Sequence, residues 1–192
     1  QGQKALYLNG KAFLKDIPFR DGALEFEFTS AKLRAFAGFI FRAEDKGNYE
    51  ALYVRLHKSN NPDAIQYNPE YNGEANWQLY GEHQTSVSFD QYEWNKLRVE
   101  VRGSEMKVFL NNFINPVMTV PNLRRENLSG FIGFYSFLGA YFRNFSYEVF
   151  DTNVAVSPPK KEATGVITKW ELSQPKNLKD IDISKYESSK GL

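Results

Sequence analysis

The segment Tyr49–His57 (YEALYVRLH) puts Leu52, Val54 and Leu56 on one side of its alternation and Tyr49, Tyr53, Arg55 and His57 on the other. An ordinary solvent face of a strand would carry Lys, Glu and Thr. Two Tyr, one Arg and one His combine flat apolar surface with hydrogen-bond donors, the mixture that a sugar ring or another polyol requires. Gln66 and Tyr67 extend the theme, followed by Trp77, Gln78 and Tyr80. Between them, Asn60-Asn61-Pro62-Asp63 and Asn68-Pro69-Glu70-Tyr71-Asn72-Gly73 suit tight turns and a rim of amide groups. Cross-strand pairing that merely stabilises a sheet explains any one of these residues. It explains the whole set, facing one way, less well.

Carboxylates are the other group that could do chemistry, since glycoside hydrolysis usually needs two of them across the scissile bond. Glu25 and Glu27 share a strand face about 6.5 to 7 Å apart by strand rise. They read first as an exposed strand face. Glu50 is the odd one, because it falls on the Leu52/Val54 side of its strand. If buried it needs a partner, and Arg42 or Arg55 could supply one only if a bulge brings them to that side. The sequence shows no unambiguous acid/base pair; if the chain is hydrolytic, Glu50 is the leading carboxylate, with His57 as its helper. Asp45 with Gly47 and Asn48 is first of all a turn.

Composition removes several other chemistries. With no Cys among 192 residues there is no disulfide, thiolate zinc site, iron–sulfur cluster or thiol nucleophile. His57 and His83 are the only two histidines and have no ligand spacing, so no metal site is expected. Asp45, Asp63, Glu70 and Asn72 are oxygen ligands in loops without the regular spacing of a calcium loop. No cofactor is expected, and a loop calcium stays open as the alternative. The 24 Lys+Arg against 23 Asp+Glu leave a charge of +1, which lacks the electrostatic footprint of a nucleic-acid binder. No apolar run approaches the roughly 18 to 20 residues that span a bilayer. The expected partner is an uncharged oligosaccharide or other polyol, held by stacking and hydrogen bonds.

The elements that must position these groups follow a period of two. Leu24, Phe26 and Phe28 alternate with Glu25, Glu27 and Thr29. Leu97, Val99 and Val101 alternate with Arg98, Glu100 and Arg102, and Gly103-Ser104 leads to Met106, Val108 and Leu110, a hairpin pattern. Further runs are Ala5–Leu8, Phe36–Arg42, Tyr49–His57, Ala64–Tyr67, Trp77–Tyr80, Phe131–Phe137 and Tyr141–Phe150, with at most a helical turn near Leu123–Asn127. About nine or ten short strands with Gly, Asn, Pro and Asp punctuation predict an all-β fold, an antiparallel two-sheet sandwich of jelly-roll type. Of the 16 Phe, 11 Tyr and 3 Trp, all but Trp170 and Tyr186 fall before residue 151. The β-sandwich is therefore expected over residues 1–150. Residues 151–165, with Ser157-Pro158-Pro159-Lys160-Lys161, read as a linker, and 166–192 as a tail strand or the start of a further segment.

The run Phe36–Tyr80, then Trp94-Asn95-Lys96-Leu97-Arg98-Val99, Val108-Phe109-Leu110-Asn111, Gly130-Phe131-Ile132-Gly133 and Tyr141-Phe142-Arg143-Asn144-Phe145, resembles the concanavalin A-like sandwiches of the 3-keto-disaccharide hydrolase domain type over about residues 7 to 148. That resemblance implies two antiparallel sheets curved over one another, a concave face that meets saccharides, and a secreted or periplasmic bacterial protein. It favours Arg42, Tyr49, Glu50, Tyr53, Arg55, His57, Gln66, Tyr67, Trp77 and Gln78 as lining or buttressing that face. Two functions follow: an extracytoplasmic glycosidase acting on keto-disaccharides, or a noncatalytic lectin-like module that binds a glycan or a protein. A sandwich with a purely architectural role is the third.

Overall fold

The computed structural model describes residues 4–125 and 129–150. The linker and tail expected over 151–165 and 166–192 lie outside the described residues, as does the end of the turn expected near Leu123–Asn127.

Twelve strands follow in order: β1 (Leu6–Phe19), β2 (Gly22–Thr29), β3 (Phe36–Asp45), β4 (Asn48–Arg55), β5 (Ile65–Tyr67), β6 (Glu70–Tyr71), β7 (Glu74–Ala75), β8 (Gln84–Thr85), β9 (Asn95–Arg102), β10 (Glu105–Leu110), β11 (Met118–Val120) and β12 (Gly130–Val149). Hydrogen bonding runs β11-β10-β9-β2-β12-β3-β4-β5-β8, with β1 beside β12 and β6 joining β4 to β7. Every strand pair is antiparallel.

This single path becomes two layers because β12 bends. Its first half, Phe131–Phe137, pairs with β3, whereas Tyr141–Val149 pairs with β2. The corner between them holds Leu138 at φ 69° and Gly139 at φ 96°. A Cβ on Gly139 would sit 2.1 Å from the Tyr7 hydroxyl, so position and backbone both demand glycine there. The runs expected over Phe131–Phe137 and Tyr141–Phe150 are thus one strand folded at a corner.

Across that corner β2 and β3 face each other without sharing backbone hydrogen bonds. Phe26 stacks on Phe39 at 5.9 Å and meets Phe134 edge-on at 5.2 Å. The three are buried, and burying a side chain of this size contributes about 1.5 to 3 kcal/mol. The alternation that predicts a sandwich is the alternation found: Leu24, Phe26 and Phe28 are fully buried while Glu25 and Glu27 are half-buried on the outside. The expected hairpin is β9–β10, paired from Arg102↔Glu105 to Leu97↔Leu110.

Two expected strand segments differ. β4 ends at Arg55, and His57 lies in a 3-10 turn, Leu56–Lys58, that carries the chain towards the Asn60-Asn61-Pro62 reversal. Trp77–Tyr80 is a turn, with Gln78 at φ 60°. Alternation there has no neighbouring strand to bond, because β8 already pairs with β5.

Candidate functional site

Directly paired residues in a sheet project their side chains to the same face. One row across six strands is Lys11↔Tyr135↔Gly38↔Tyr53↔Gln66↔Gln84. It lies on the outer face of the β1–β12–β3–β4–β5–β8 layer. The next row inward along the chain, Ala12↔Phe134↔Phe39↔Leu52↔Tyr67, points into the core. Tyr49 and Arg55 share the outer face with Tyr53, at successive even steps along β4.

Gly38 is central to this row. A Cβ there would lie 2.8 Å from the Leu52 carbonyl oxygen, 3.0 Å from Tyr53 Cβ and 3.1 Å from Tyr135 Cδ1. Its bare backbone lets the Tyr53 and Tyr135 rings approach to 6.4 Å across β3. Polar groups close the row at both ends. At one end, Lys11 Nζ donates to Glu70 Oε1 at 2.7 Å, Tyr49 donates its hydroxyl to Glu70 Oε2, and the ammonium lies 4.8 Å over the Tyr49 ring. At the other, Tyr53 donates to Gln66 Oε1, Arg55 pairs with Asp63, and the Arg55 guanidinium lies 6.0 Å from the Trp77 ring and 5.7 Å from Phe36.

The electrostatics follow from burial. Desolvation pushes the Tyr135 hydroxyl up to about 12, with the Glu70 charge adding to it. Tyr49 and Tyr53 are held higher still, first by burial, and Glu70 adds to the effect on Tyr49. All three phenols are therefore hydrogen-bond donors at any physiological pH. Arg55 with Asp63 and Lys11 with Glu70 neutralise each other, so these two ion pairs leave the face without net charge. Seven buried side-chain polar atoms have no partner among the described residues, and two of them, the donors Arg55 Nε and Gln66 Nε2, belong to this face. Both residues are buried, beside a Trp77 that is 52% exposed.

The residues singled out from sequence separate into groups. Tyr49, Tyr53, Arg55 and Gln66 share the outer face, and Trp77 lies over Arg55 from its turn. Tyr67 and Gln66 are neighbours on β5 and so face opposite ways. Tyr67 points inward and donates to Glu50 Oε2 at 2.5 Å. Glu50 is fully buried, and its other oxygen accepts the Arg125 backbone N–H at 2.8 Å. Burial raises its pKa against the lowering effects of Tyr67, Arg125 N–H and the Arg42 charge. β3 has a bulge at this point: it loses register between Phe41 and Asp45, and Arg42 has φ 49°, yet the side-chain and backbone donors to Glu50 are Tyr67 and Arg125. The bulge turns Arg42 inward at the end of the sandwich, where the guanidinium donates to Asp21 Oδ1 (2.9 Å), to the Arg20 carbonyl oxygen (2.9 Å) and to that of Gly103 (2.6 Å).

His57 stands at the rim, its ring 5.2 Å from Phe36. Desolvation, with the charges of Arg55, Arg34 and Lys58, lowers its pKa against the hydrogen bond to the Ala35 carbonyl oxygen. It borders an open groove of about 480 Å³ with Ser59 and residues 88–92. That groove is separate from the Tyr53 row, and no unpartnered buried donor lines it. Gln78 is exposed on its turn. The loop carboxylates are engaged: Asp45 accepts from Gly47 N and Asn48 Nδ2, Asp63 holds Arg55, and Glu70 holds Lys11 and Tyr49.

Sequence reasoning did not place Lys11 or Tyr135 on the face, and it read Glu70 only as a loop oxygen. Tyr135 carried a signal, since it alternates with Gly133 and Phe137 in a strand. Lys11 carried none, because its role depends on β1 lying against β12.

A comparison with curated protein sequences gives no match. Among solved structures, the carbohydrate binding module CBM66 from Bacillus subtilis superposes with a TM-score of 0.59 at 19% identity, over 77% of this chain and 92% of the module. A Bacillus subtilis protein of unknown function with a galectin-like fold gives 0.51 at 11% identity, over 75% and 88%. The β-glucanase of Bacillus licheniformis gives 0.50 at 14% identity, over 71% and 69%. At these identities the likeness is one of fold. Residues 7–148 match the family described as the 3-keto-alpha-glucoside-1,2-lyase-like domain, the same span that carries the Tyr53 row and both of its polar ends, and the chain belongs to that family.

Proposed function

We propose that this domain recognises a saccharide on the outer face of the β1–β12–β3–β4–β5–β8 layer. The observation that carries the reading is the pair of unpartnered buried donors, Arg55 Nε and Gln66 Nε2, beside a half-exposed indole. Buried donors are normally satisfied, and each one left open costs about 1 to 3 kcal/mol. An aromatic plate next to donors that lack acceptors is a site waiting for ring oxygens or hydroxyls. Both residues are buried in the free protein, so binding needs the side chains over them to move. The structural neighbours named for carbohydrate binding or glucan cleavage support the same reading through their shared architecture.

Catalysis on a keto-disaccharide at this face is the second reading, and Glu70 is the observation that favours it. Cleaving a glycosidic bond next to a ketone requires a base for the proton beside the carbonyl and an acid for the leaving oxygen. Glu70, between Lys11 and Tyr49, is the carboxylate of this face with two proton-bearing partners. Glu50 lies behind the sheet, sealed by Tyr67 and Arg125, and serves the core.

Titration of the protein with methyl 3-keto-α-glucoside, followed by NMR, tests the first reading. Binding that weakens at least tenfold in Trp77→Ala supports it; no binding by the wild type, or binding indifferent to Trp77, sinks it. A turnover assay on keto-disaccharides then separates the second. Turnover lost in Glu70→Gln and kept in Glu50→Gln supports catalysis at this face. Binding without turnover leaves a noncatalytic module.

A further inference from the structure

Beside Tyr135↔Gly38↔Tyr53, the next row on the same outer face is Phe137↔Phe36↔Arg55. Around the Phe36 ring lie the Arg34 and Arg55 guanidiniums, each at 5.7 Å, the His57 imidazole at 5.2 Å and the Phe137 ring at 5.6 Å. Arg34 precedes Phe36 by two residues, His57 follows Arg55 by two, and Phe36 pairs with Arg55, so the ends of β3 and β4 bring these groups together.

The two guanidiniums differ in what they have already met. Arg55 is buried and paired with Asp63. Arg34 is exposed and, like Lys58, is in no ion pair among the described residues. Asp90, which lines the groove that His57 borders, takes the Tyr92 backbone N–H at 2.9 Å. Desolvation first, then the charges of Arg55, Arg34 and Lys58, lower the His57 pKa, so positive charge bears on this end of the face. The net charge of +1 for the whole chain conceals that local excess.

We propose that Arg34, with Lys58, forms a subsite for an anionic substituent, a carboxylate or a phosphate, on a saccharide seated along Phe137, Phe36, Arg55 and Trp77. This rests on the saccharide reading of the outer face and names the class of sugar that reading leaves open. Phe137 and Trp77 are 49% and 52% exposed and offer flat apolar surface at the two ends of that line. A guanidinium packed over a ring uses its face there and keeps its edge donors for a partner. Carboxylate and phosphate oxygens match that fork, and hydrogen bonds between charged groups are about twice as strong as those a neutral hydroxyl makes. Arg55 adds no charge to the subsite, because Asp63 already neutralises it.

NMR dissociation constants of the full chain at low salt test the subsite with three probes: methyl α-glucoside, methyl α-glucuronide and glucose 6-phosphate. The wild type is expected to bind at least one anionic probe about fivefold or more tightly than the glucoside. A larger gain for the glucuronide assigns a carboxylate, and a larger gain for the phosphate assigns a phosphate ester. Raising NaCl from about 0.05 to 0.5 M should shrink the preference, because salt screens exposed charges. Arg34→Gln should lower it about threefold or more, with thermal unfolding as the check on the fold. Lys96→Met removes one cation from the opposite outer face and should leave the preference intact, which separates a local subsite from the overall charge of the chain. The His57 ring gives a second readout: bound glucuronide should raise its pKa by offsetting the neighbouring cations, and bound glucoside should not. Equal affinity for neutral and anionic probes, or no binding of the anionic ones, overturns the subsite. So does a preference that survives Arg34→Gln, or one that Lys96→Met removes equally well. Binding of methyl 3-keto-α-glucoside under the same conditions then leaves saccharide recognition standing; its absence together with that of all three probes overturns both.

Discussion

The two outer faces of the sandwich are built on the same alternation and filled in opposite ways. On the β2–β9 face the outward residues are mostly charged, and Glu25, Glu27, Lys96, Arg98 and Glu100 find an opposite or a donor next door. Glu25 is held by Lys96 and Arg98, Arg98 also reaches Glu100 at 2.8 Å, and Glu27 takes Arg143 at 2.6 Å and Asn144 at 3.0 Å. Arg143 then lies 3.9 Å over the Trp94 ring. These groups are half-exposed, and pairs of this kind contribute about 0 to 1 kcal/mol each. On the β3–β4–β5 face the same positions hold Tyr49, Tyr53, Arg55 and Gln66, all buried, with two donors unsatisfied. One face settles its charges with its own neighbours. The other leaves two buried donors without a partner, which is the hydrogen-bonding capacity the proposed saccharide reading draws on.

Placing a side chain at Gly38 should remove the difference most completely. Val at this position has to displace the Leu52 carbonyl, Tyr53 or Tyr135, since a Cβ already comes within 2.8 to 3.1 Å of all three. Gly38→Val is expected to cost about 2 to 3 kcal/mol in urea unfolding and to abolish saccharide binding. A variant as stable as wild type would mean that the Tyr53–Tyr135 approach does not depend on the bare backbone.

Trp77→Ala should separate function from stability. The indole is half-exposed on a turn, so the unfolding midpoint is expected to change by less than about 1 kcal/mol while binding weakens tenfold or more. A large loss of stability would make Trp77 a structural cover instead.

The charged face should show itself in pH. Burial pushes the Glu27 carboxyl up, but hydrogen bonds from Asn144 and Arg143, together with the charges of Arg143 and Lys96, outweigh it and hold its pKa below the ordinary value of 4.5. A carboxylate with a depressed folded pKa contributes stability above the unfolded pKa and loses it as pH falls through the folded value. Stability measured from pH 5 down to pH 3 should therefore fall less steeply in Glu27→Gln than in wild type, and an identical slope would show that Glu27 is not held by its partners.

The smallest effect is expected from Lys96→Met, which removes one surface partner of Glu25. It should change stability by less than about 1 kcal/mol and leave saccharide binding within experimental error. Any loss of binding would mean that the two faces are coupled.

Much of this architecture was legible beforehand. The Leu24/Phe26/Phe28 and Leu97/Val99/Val101 alternations locate β2 and β9 and state which way each side chain faces, because period two is a property of the backbone. The Tyr49/Tyr53/Arg55 set was assigned to one face for the same reason. Tyr67 shares its chemistry with Gln66, but the alternation puts the two on opposite faces of β5. His57 reads as strand in the sequence because nothing in YEALYVRLH marks where the strand must stop, whereas the chain leaves β4 at Arg55. Lys11, Glu70 and Tyr135 come from β1, β6 and β12 and meet only because those strands lie near one another.

Sequence alone determined the residue classes, the strand period and therefore the two kinds of outer face, since local sterics and alternating burial act over a few residues. Tertiary structure decided which partner each polar group received. The corner at Leu138-Gly139 folds one hydrogen-bonded sheet into two layers, the bulge at Arg42 turns a cation inward, and the register of β5 against β4 sets Gln66 opposite Tyr53. Those pairings join residues far apart in the chain. A hydrogen bond is satisfied only within about 3 Å, a distance that no short-range pattern can fix.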